Sequence, residues 1–119
     1  MKKILVVEDN ENNMYLITFI LQKAGYEIAK AETGEKGVKL AASEKPDLIL
    51  MDVKLPGIDG LEATKRIRKS KAGGKVPIIA LTSYAMTGDR EKFLAGGCSA
   101  YIEKPINPDT ILSQIKKFF

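Results

Sequence analysis

Five side chains that could do chemistry follow four short apolar runs of the sequence. Glu8 and Asp9 come directly after the first run, Asp52 closes another, and Thr82 and Lys104 follow two later ones. If these runs are parallel strands, their carboxyl ends meet at one edge of a sheet, where the five side chains come together. The 119-residue chain has no histidine, the usual general base and commonest metal ligand. Chemistry at this edge must therefore rest on carboxylates, a hydroxyl and an ammonium group.

The three carboxylates predict a cation site. Two carboxylates about 5 Å apart repel by roughly 3 kcal/mol at an effective dielectric of about 20, so the cluster needs raised pKa values or a cation. Mg²⁺ suits it best, because this ion accepts one or two carboxylates together with waters and phosphate oxygens. A simpler explanation is that Glu8 and Asp9 only cap the helix beginning near residues 10–13. That explains Asp9 alone, but not its convergence with Asp52.

Asp52 is the candidate nucleophile. It ends an apolar run just before a turn rich in glycine, and a carboxylate held there can attack phosphorus to form an aspartyl phosphate. The oxygens of an attached phosphoryl group would then need a cation, a hydrogen-bond donor and a positive side chain, which Mg²⁺, Thr82 and Lys104 would supply. Each residue alone has an ordinary explanation as a turn residue, strand-end hydroxyl or surface charge. Their joint placement favours phosphoryl chemistry.

The elements that must position these groups are strands alternating with helices. Short apolar runs rich in β-branched residues alternate with longer segments of helical period, which is typical of βα units around a parallel sheet. Three runs are continuously apolar, as in central strands covered on both faces, whereas the run at 27–31 is weaker and predicts an edge strand. The predicted strands are residues 4–7, 27–31, 48–51, 77–81 and 100–102.

Capping residues mark the predicted helices between these strands. Short polar side chains that accept a hydrogen bond from the first helical turn favour a helix start, and glycine favours a left-handed end. The candidates in chain order are Gly25 ending the first helix, Thr33 opening the second, Asp59 with Glu62 opening the third, Thr87 or Asp89 opening the fourth, and Asn107-Pro108 opening the fifth.

Five βα units predict an α/β fold with a five-stranded parallel sheet. Right-handed crossovers place helices on both faces, which gives a flavodoxin-like (βα)5 three-layer sandwich with strand order 2-1-3-4-5. Ligands of such folds bind outside the carboxyl ends of the strands where the order reverses, here between the first and third strands. A length of 119 residues fits one domain over residues 1–119, with a single hydrophobic core.

Composition disfavours several other classes of protein. The net charge is +4, but the lysines are scattered, so a solvated basic surface is favoured over nucleic-acid binding. No apolar run approaches the roughly 20 residues that span a bilayer, so we expect no membrane segment. The only cysteine, Cys98, has no partner for an internal disulfide and no neighbouring metal ligands. This pattern suits a reducing, cytoplasmic environment.

Four motifs resemble the signature of response-regulator receiver domains of two-component signalling. They span essentially the whole chain: Glu8-Asp9-Asn10, the segment 51–60, Thr82-Ser83 and Lys104-Pro105. Within this family, the segments 8–14, 88–90 and 96–98 most resemble stand-alone regulators and receivers attached to hybrid kinases. The resemblance implies a histidine kinase or histidine phosphotransfer protein as phosphodonor and a downstream protein target. It also implies roles for individual residues: Asp52 as phosphoacceptor, Glu8 and Asp9 as the acid pair, the Lys54 carbonyl as a further Mg²⁺ ligand, and a cis Lys104-Pro105 bond.

Three further roles follow from the same resemblance. Tyr101 would be the aromatic switch residue that responds to inward movement of Thr82, although a tyrosine that only packs beside the fifth helix explains the sequence equally well. Lys54 and Tyr84 would flank the acceptor and set the lifetime of the aspartyl phosphate, unless both side chains point to solvent. Neither can orient an attacking water as an acid or amide would, so we expect slow hydrolysis.

Two other functions share parts of the pattern. An aspartate-nucleophile phosphatase or phosphotransferase acting on small molecules usually needs an acid two residues past the nucleophile, where this chain has Lys54, and 119 residues leave no cap domain. An FMN carrier needs a phosphate loop after the first strand, where Glu8 and Asp9 would repel the phosphate. We therefore expect a signalling module, not an enzyme in the usual sense, that catalyses its own phosphorylation and slow dephosphorylation.

Overall fold

The structure is a computed structural model that describes residues 2–70, 74–83 and 89–119. Within these ranges five strands alternate with five helices, and the edge strand begins and ends where the sequence predicted. The elements are β1 Lys3–Val7, α1 Glu11–Lys23, β2 Glu27–Ala31, α2 Gly34–Ser43, β3 Leu48–Asp52, α3 Gly60–Lys69, β4 Ile78–Thr82, α4 Asp89–Ala95, β5 Ala100–Glu103 and α5 Pro108–Lys116.

The strands form one parallel sheet in the order β2-β1-β3-β4-β5, which confirms the predicted fold class and topology. β3 and β4 are buried along their whole length, as their apolar sequences predicted. Both continue one residue further than the apolar runs, because Asp52 pairs with Leu81 and Thr82 pairs with Glu103 in the parallel ladder. These two candidate site residues therefore belong to the ends of strands.

Two hydrophobic clusters cover the two faces of the sheet. Side chains alternate between faces along a strand, so Ile4 and Val6 of β1 pack with α1 and α5, whereas Leu5 and Val7 pack with residues of α2, α3 and α4. This arrangement is the predicted three-layer sandwich. No helix in the described part of the chain is long and apolar enough to cross a membrane.

The caps of four helices can be compared with the sequence, and α1 decides between the two explanations of its acidic residues. The side chain of Asn10, not Asp9, caps this helix, accepting a hydrogen bond from the Asn13 N–H at 2.9 Å. The explanation that Glu8 and Asp9 merely cap α1 is therefore wrong. Thr33, Asp59 and Asn107 cap α2, α3 and α5 as predicted, and Gly25 follows α1 with φ of 98°. α4 begins at Asp89, and Thr87 lies outside the described residues.

Candidate functional site

The predicted site residues line one cleft at the carboxyl ends of the strands. Glu8 and Asp9 follow β1, Asp52 ends β3, Thr82 ends β4 and Lys104 follows β5. All five border a cavity of about 390 Å³. Glu8, Asp52 and Thr82 are buried, whereas Asp9 is exposed at the mouth of the cleft. The topology thus brings together three acids, a hydroxyl and an ammonium group, as the sequence predicted.

Lys104 joins two of the buried carboxylates. Its Nζ lies 2.9 Å from Glu8 Oε1 and 3.1 Å from Asp52 Oδ2. The Lys104-Pro105 peptide bond that follows is cis, as the sequence resemblance implied. Burial lowers the pKa of Lys104, but its hydrogen bonds and attraction to Glu8 and Asp52 outweigh that effect and raise the pKa above its ordinary value. The ammonium group therefore remains charged in the cleft at neutral pH.

The pKa of Glu8 is raised above its ordinary value. Burial raises the pKa of Glu8, and its hydrogen bond with Asp52 raises it further. The hydrogen bonds from Lys104 and the Asn10 N–H act in the opposite direction without cancelling these effects. Because the single ammonium group of Lys104 faces two buried carboxylates, Glu8 and Asp52, the site remains favourable for a further cation.

The geometry of the acids fits a hard metal ion. Glu8, Asp9 and Asp52 each offer a carboxylate oxygen, and the three oxygens lie within 4.8 Å of one another. A donor set made only of oxygen, with open space beside it, suits Mg²⁺ better than softer metals that prefer nitrogen or sulfur. The residues present could therefore hold the ion that the sequence predicted.

The rim of the cleft contains Lys54, which follows Asp52 by two positions. The Lys54 main-chain N–H donates a hydrogen bond to Asp52 Oδ1 at 3.3 Å, while its side chain is exposed and borders the cleft. This contact holds the second oxygen of the Asp52 carboxylate. Tyr84, the other predicted rim residue, lies outside the described residues.

Tyr101 lies outside the cleft but contacts a residue that lines it. Its half-buried ring packs against Phe93 of α4, with ring centroids 5.7 Å apart and planes tilted by 54°. Phe93 borders the cleft together with Thr82. An aromatic path therefore connects the wall of the cleft to the surface formed by α4 and β5.

Sequence reasoning missed the contribution of α4 to the cleft. Lys92 and Phe93 both line it, although neither closes an apolar strand. The only signal for Phe93 is its place on the apolar side of a short helix, which equally predicts an ordinary core residue. Lys92 could be assigned to the cleft only if the position of α4 over the strand ends were known, and that position depends on tertiary packing.

A parallel five-stranded α/β sheet with an acid pair, a strand-end aspartate and a lysine at its carboxyl edge defines a class of phosphoacceptor signalling domains. The family model of the response regulator receiver domain matches residues 4–116 of this chain. The chain therefore belongs to the response regulator receiver family.

Individual relatives agree with this assignment over nearly the whole length. The polar-differentiation response regulator DivK of Brucella ovis is 42% identical over 117 residues, which cover 98% of this chain and 95% of that protein. The chemotaxis response regulator CheY4 of Vibrio cholerae is 29% identical, with a TM-score of 0.95 over 100% of this chain and 99% of that structure.

A third relative was solved with a metal ion. The receiver domain of the sensor histidine kinase PA1611 from Pseudomonas aeruginosa is 38% identical, with a TM-score of 0.92 over 98% of this chain and 96% of that one. That structure has a magnesium ion coordinated in its active-site cleft.

These findings establish the class of function. The chain is a receiver domain of two-component signalling, a phosphoacceptor switch and not a classical enzyme. The small-molecule phosphatase is not favoured. Receiver domains use Mg²⁺ and interact with histidine kinases and downstream targets.

Proposed function

We propose that Asp52 accepts the phosphoryl group from a phosphohistidine of a histidine kinase or histidine phosphotransfer protein. A carboxylate oxygen of Asp52 attacks phosphorus, the N–P bond of the donor breaks, and the imidazole leaves with its electron pair. The observation that carries this proposal is the placement of Asp52 in the cleft, 5% exposed, with Lys104 Nζ 3.1 Å from Oδ2 and the Lys54 N–H 3.3 Å from Oδ1.

Three groups would stabilise the transferred phosphoryl oxygens. A Mg²⁺ ion bound by Glu8, Asp9, Asp52 and the Lys54 carbonyl would neutralise charge on these oxygens. The ammonium group of Lys104 already lies in the cleft and would pair with one oxygen. The Thr82 hydroxyl, at the end of β4, would donate to another. The chain would in this way catalyse its own phosphorylation, with slow hydrolysis returning it to the starting state.

The conformational response would pass from Thr82 to Tyr101. Drawing the Thr82 hydroxyl toward the phosphoryl group would change the space next to Phe93, against which Tyr101 packs. Leu94 is exposed on the same helix and forms a shallow groove with Tyr101 and Gln114 of α5. The downstream protein target would therefore bind the surface formed by α4, β5 and α5, and signalling would require neither nucleic acid nor a membrane.

The decisive experiment measures acid-labile phosphate on the protein. Incubation with a small acyl phosphate should label the protein to about one equivalent with Mg²⁺ and far less with EDTA. Asp52→Asn should abolish labelling, whereas Asp109→Asn, an exposed aspartate of α5, should not change it. Labelling of Asp52→Asn would show that the acceptor is misassigned. Release of many equivalents of free phosphate would favour the small-molecule phosphatase instead.

A further inference from the structure

The outer face of α1 is unusually apolar for a surface helix. Among the described residues, three of the five large apolar side chains that are exposed lie there: Tyr15 at 72%, Leu16 at 41% and Phe19 at 51%. Phe19 also borders a largely apolar groove of about 340 Å³ between α1 and the start of α5. Single exposed apolar residues are ordinary, but a contiguous patch indicates an interaction surface.

Charged residues stand at both ends of this patch. Glu11, Tyr15, Phe19 and Lys23 are spaced by four, so they form one ridge along the helix. The Tyr15 and Phe19 rings stack at 6.2 Å, and Lys23 Nζ lies 5.6 Å from the Phe19 ring centroid. Neither Glu11 nor Lys23 forms an ion pair with another residue that the structure describes. The ridge thus runs from an unpaired acid, through two aromatic rings, to an unpaired base.

We propose that this ridge is a self-association surface, on which two copies of the chain pack with their α1 helices antiparallel about a twofold axis. Such an interface is self-complementary, because the same face of both copies is used and every contact between two different residues occurs twice. Reversing the ridge about its midpoint, near Ile17, places Glu11 opposite Lys23 of the second copy. The same operation places Tyr15 opposite Phe19. The four-residue ridges of both helices can run side by side in the commonest class of helix packing.

The dimer should be weak. One helix face buries less than the roughly 800 Å² per partner of a stable interface, so the dimer belongs with transient complexes. Its two equivalent Glu11–Lys23 pairs lie at the exposed rim, where they fix orientation and register more than affinity. Because α1 begins two residues after Asp9, a second copy would also cover the surface next to the mouth of the cleft.

Charge reversal tests both the dimer and its register. Sedimentation of the unmodified protein should show a growing average mass between about 10 µM and 1 mM. Glu11→Lys and Lys23→Glu should each weaken association by about tenfold, because both attractive pairs of the dimer become repulsive. An equimolar mixture of the two variants should regain the parental mass, since the mixed dimer has both attractions again.

Two control variants separate this dimer from other effects. Lys39→Glu changes net charge as Lys23→Glu does, but at an exposed position on α2, and should leave association unchanged. Phe19→Ala should abolish association while the circular dichroism spectrum and melting temperature stay parental. A parent that remains monomeric at 1 mM would overturn the proposal. So would a mixture of Glu11→Lys and Lys23→Glu that stays as dissociated as either variant alone.

Discussion

The interior of the cleft and its mouth differ in how firmly their charged groups are held. In the interior, Glu8, Asp52 and Lys104 are joined by ion pairs of 2.9 and 3.1 Å. At the mouth, the side chains of Asp9 and Lys54 are exposed. The charged side chains of the interior are already held in place before any phosphoryl group arrives. The exposed side chains at the mouth can be substituted without disturbing the fold.

Backbone position explains this difference. Asp52 belongs to β3, which is paired with a strand on each side. Glu8 follows β1, and the Glu8 main-chain N–H donates a hydrogen bond to the Ala31 carbonyl of β2 at 3.0 Å. Lys54 instead lies in the loop between β3 and α3, where side chains are mobile. We therefore expect interior residues to decide whether phosphorylation occurs, and mouth residues to adjust metal affinity and the lifetime of the product.

The largest expected effect on stability comes from removing the interior cation. Lys104→Met should lower the free energy of unfolding of the Mg²⁺-free protein by about 1–3 kcal/mol, because Glu8 and Asp52 are left buried without their partner. Uptake of a proton by Glu8 limits the loss. Chemical denaturation at pH 7 in EDTA measures the effect. The matched control is Lys36→Met, which breaks an exposed ion pair of 3.1 Å with Glu32 and should cost about 0–1 kcal/mol.

The same variant gives a pH dependence of known sign. The pKa of Lys104 is raised in the folded protein, so its stabilisation is complete below the ordinary value of 10.5 and is lost as pH rises through the folded value. The stability gap between the parent and Lys104→Met should therefore close as the pH rises above 10.5. Equal losses for Lys104→Met and Lys36→Met would contradict the distinction between a buried and an exposed pair.

At the mouth, Asp9→Asn should remove most of the response to Mg²⁺ and leave the metal-free stability nearly unchanged. Asp9 is exposed, but its carboxylate is one of the three that lie within 4.8 Å. Saturating Mg²⁺ should stabilise the parent by about 1–3 kcal/mol, and Asp9→Asn by less than half of that. Thermal melts with and without millimolar Mg²⁺ measure this effect. The control variant is Glu11→Gln, which removes a nearby acid outside the cluster. A parental melting temperature that does not change with Mg²⁺ would refute the metal site.

The interior could be predicted from the sequence better than the mouth, for physical reasons. Asp52 and Thr82 end continuously apolar strands, and parallel strands bring their carboxyl ends together whatever the details of packing. The ion pairs of Lys104 follow from that convergence. Both strands were predicted to end one residue too early, because the apolar pattern stops at the first polar residue although the ladder continues to Asp52 and Thr82.

The cap of α1, the contribution of α4 to the cleft and the exposure of Phe19 could not be predicted, because the local sequence either fits several structures equally well or gives no signal. Asp9 and Asn10 are equally good caps by type, and only the backbone conformation, extended at Asn10, decides between them. Lys92 and Phe93 reach the cleft because of where α4 packs, which no periodicity encodes. The exposure of Phe19 also depends on which neighbour covers α1, since an apolar residue at helical spacing normally predicts core.

Coupling from the interior to the outer surface should be visible in Thr82→Ala. This variant should still be phosphorylated, but the phosphorylation-induced NMR shifts around Tyr101 should fall to less than half of the parental size, because the hydroxyl that moves toward the phosphoryl group is missing. Ser83→Ala removes the neighbouring, exposed hydroxyl and should keep the shifts. Parental shifts in Thr82→Ala would mean that Tyr101 only packs beside Phe93.

The smallest expected effect concerns the lifetime of the aspartyl phosphate, which the mouth should set. Hydrolysis needs a water in line with the scissile bond, and Lys54, exposed two residues after the acceptor, can contact a phosphoryl oxygen but cannot orient that water. Tyr84 holds the corresponding position after Thr82. In Mg²⁺, the phosphorylated Lys54→Asn, Tyr84→Ala double variant should lose its phosphoryl group about threefold faster than the parent, a difference of about 0.7 kcal/mol. Lys65→Asn, at an exposed position on α3, should decay at the parental rate. If the parent decays as fast as the double variant, both side chains point to solvent and the lifetime is set by the interior alone.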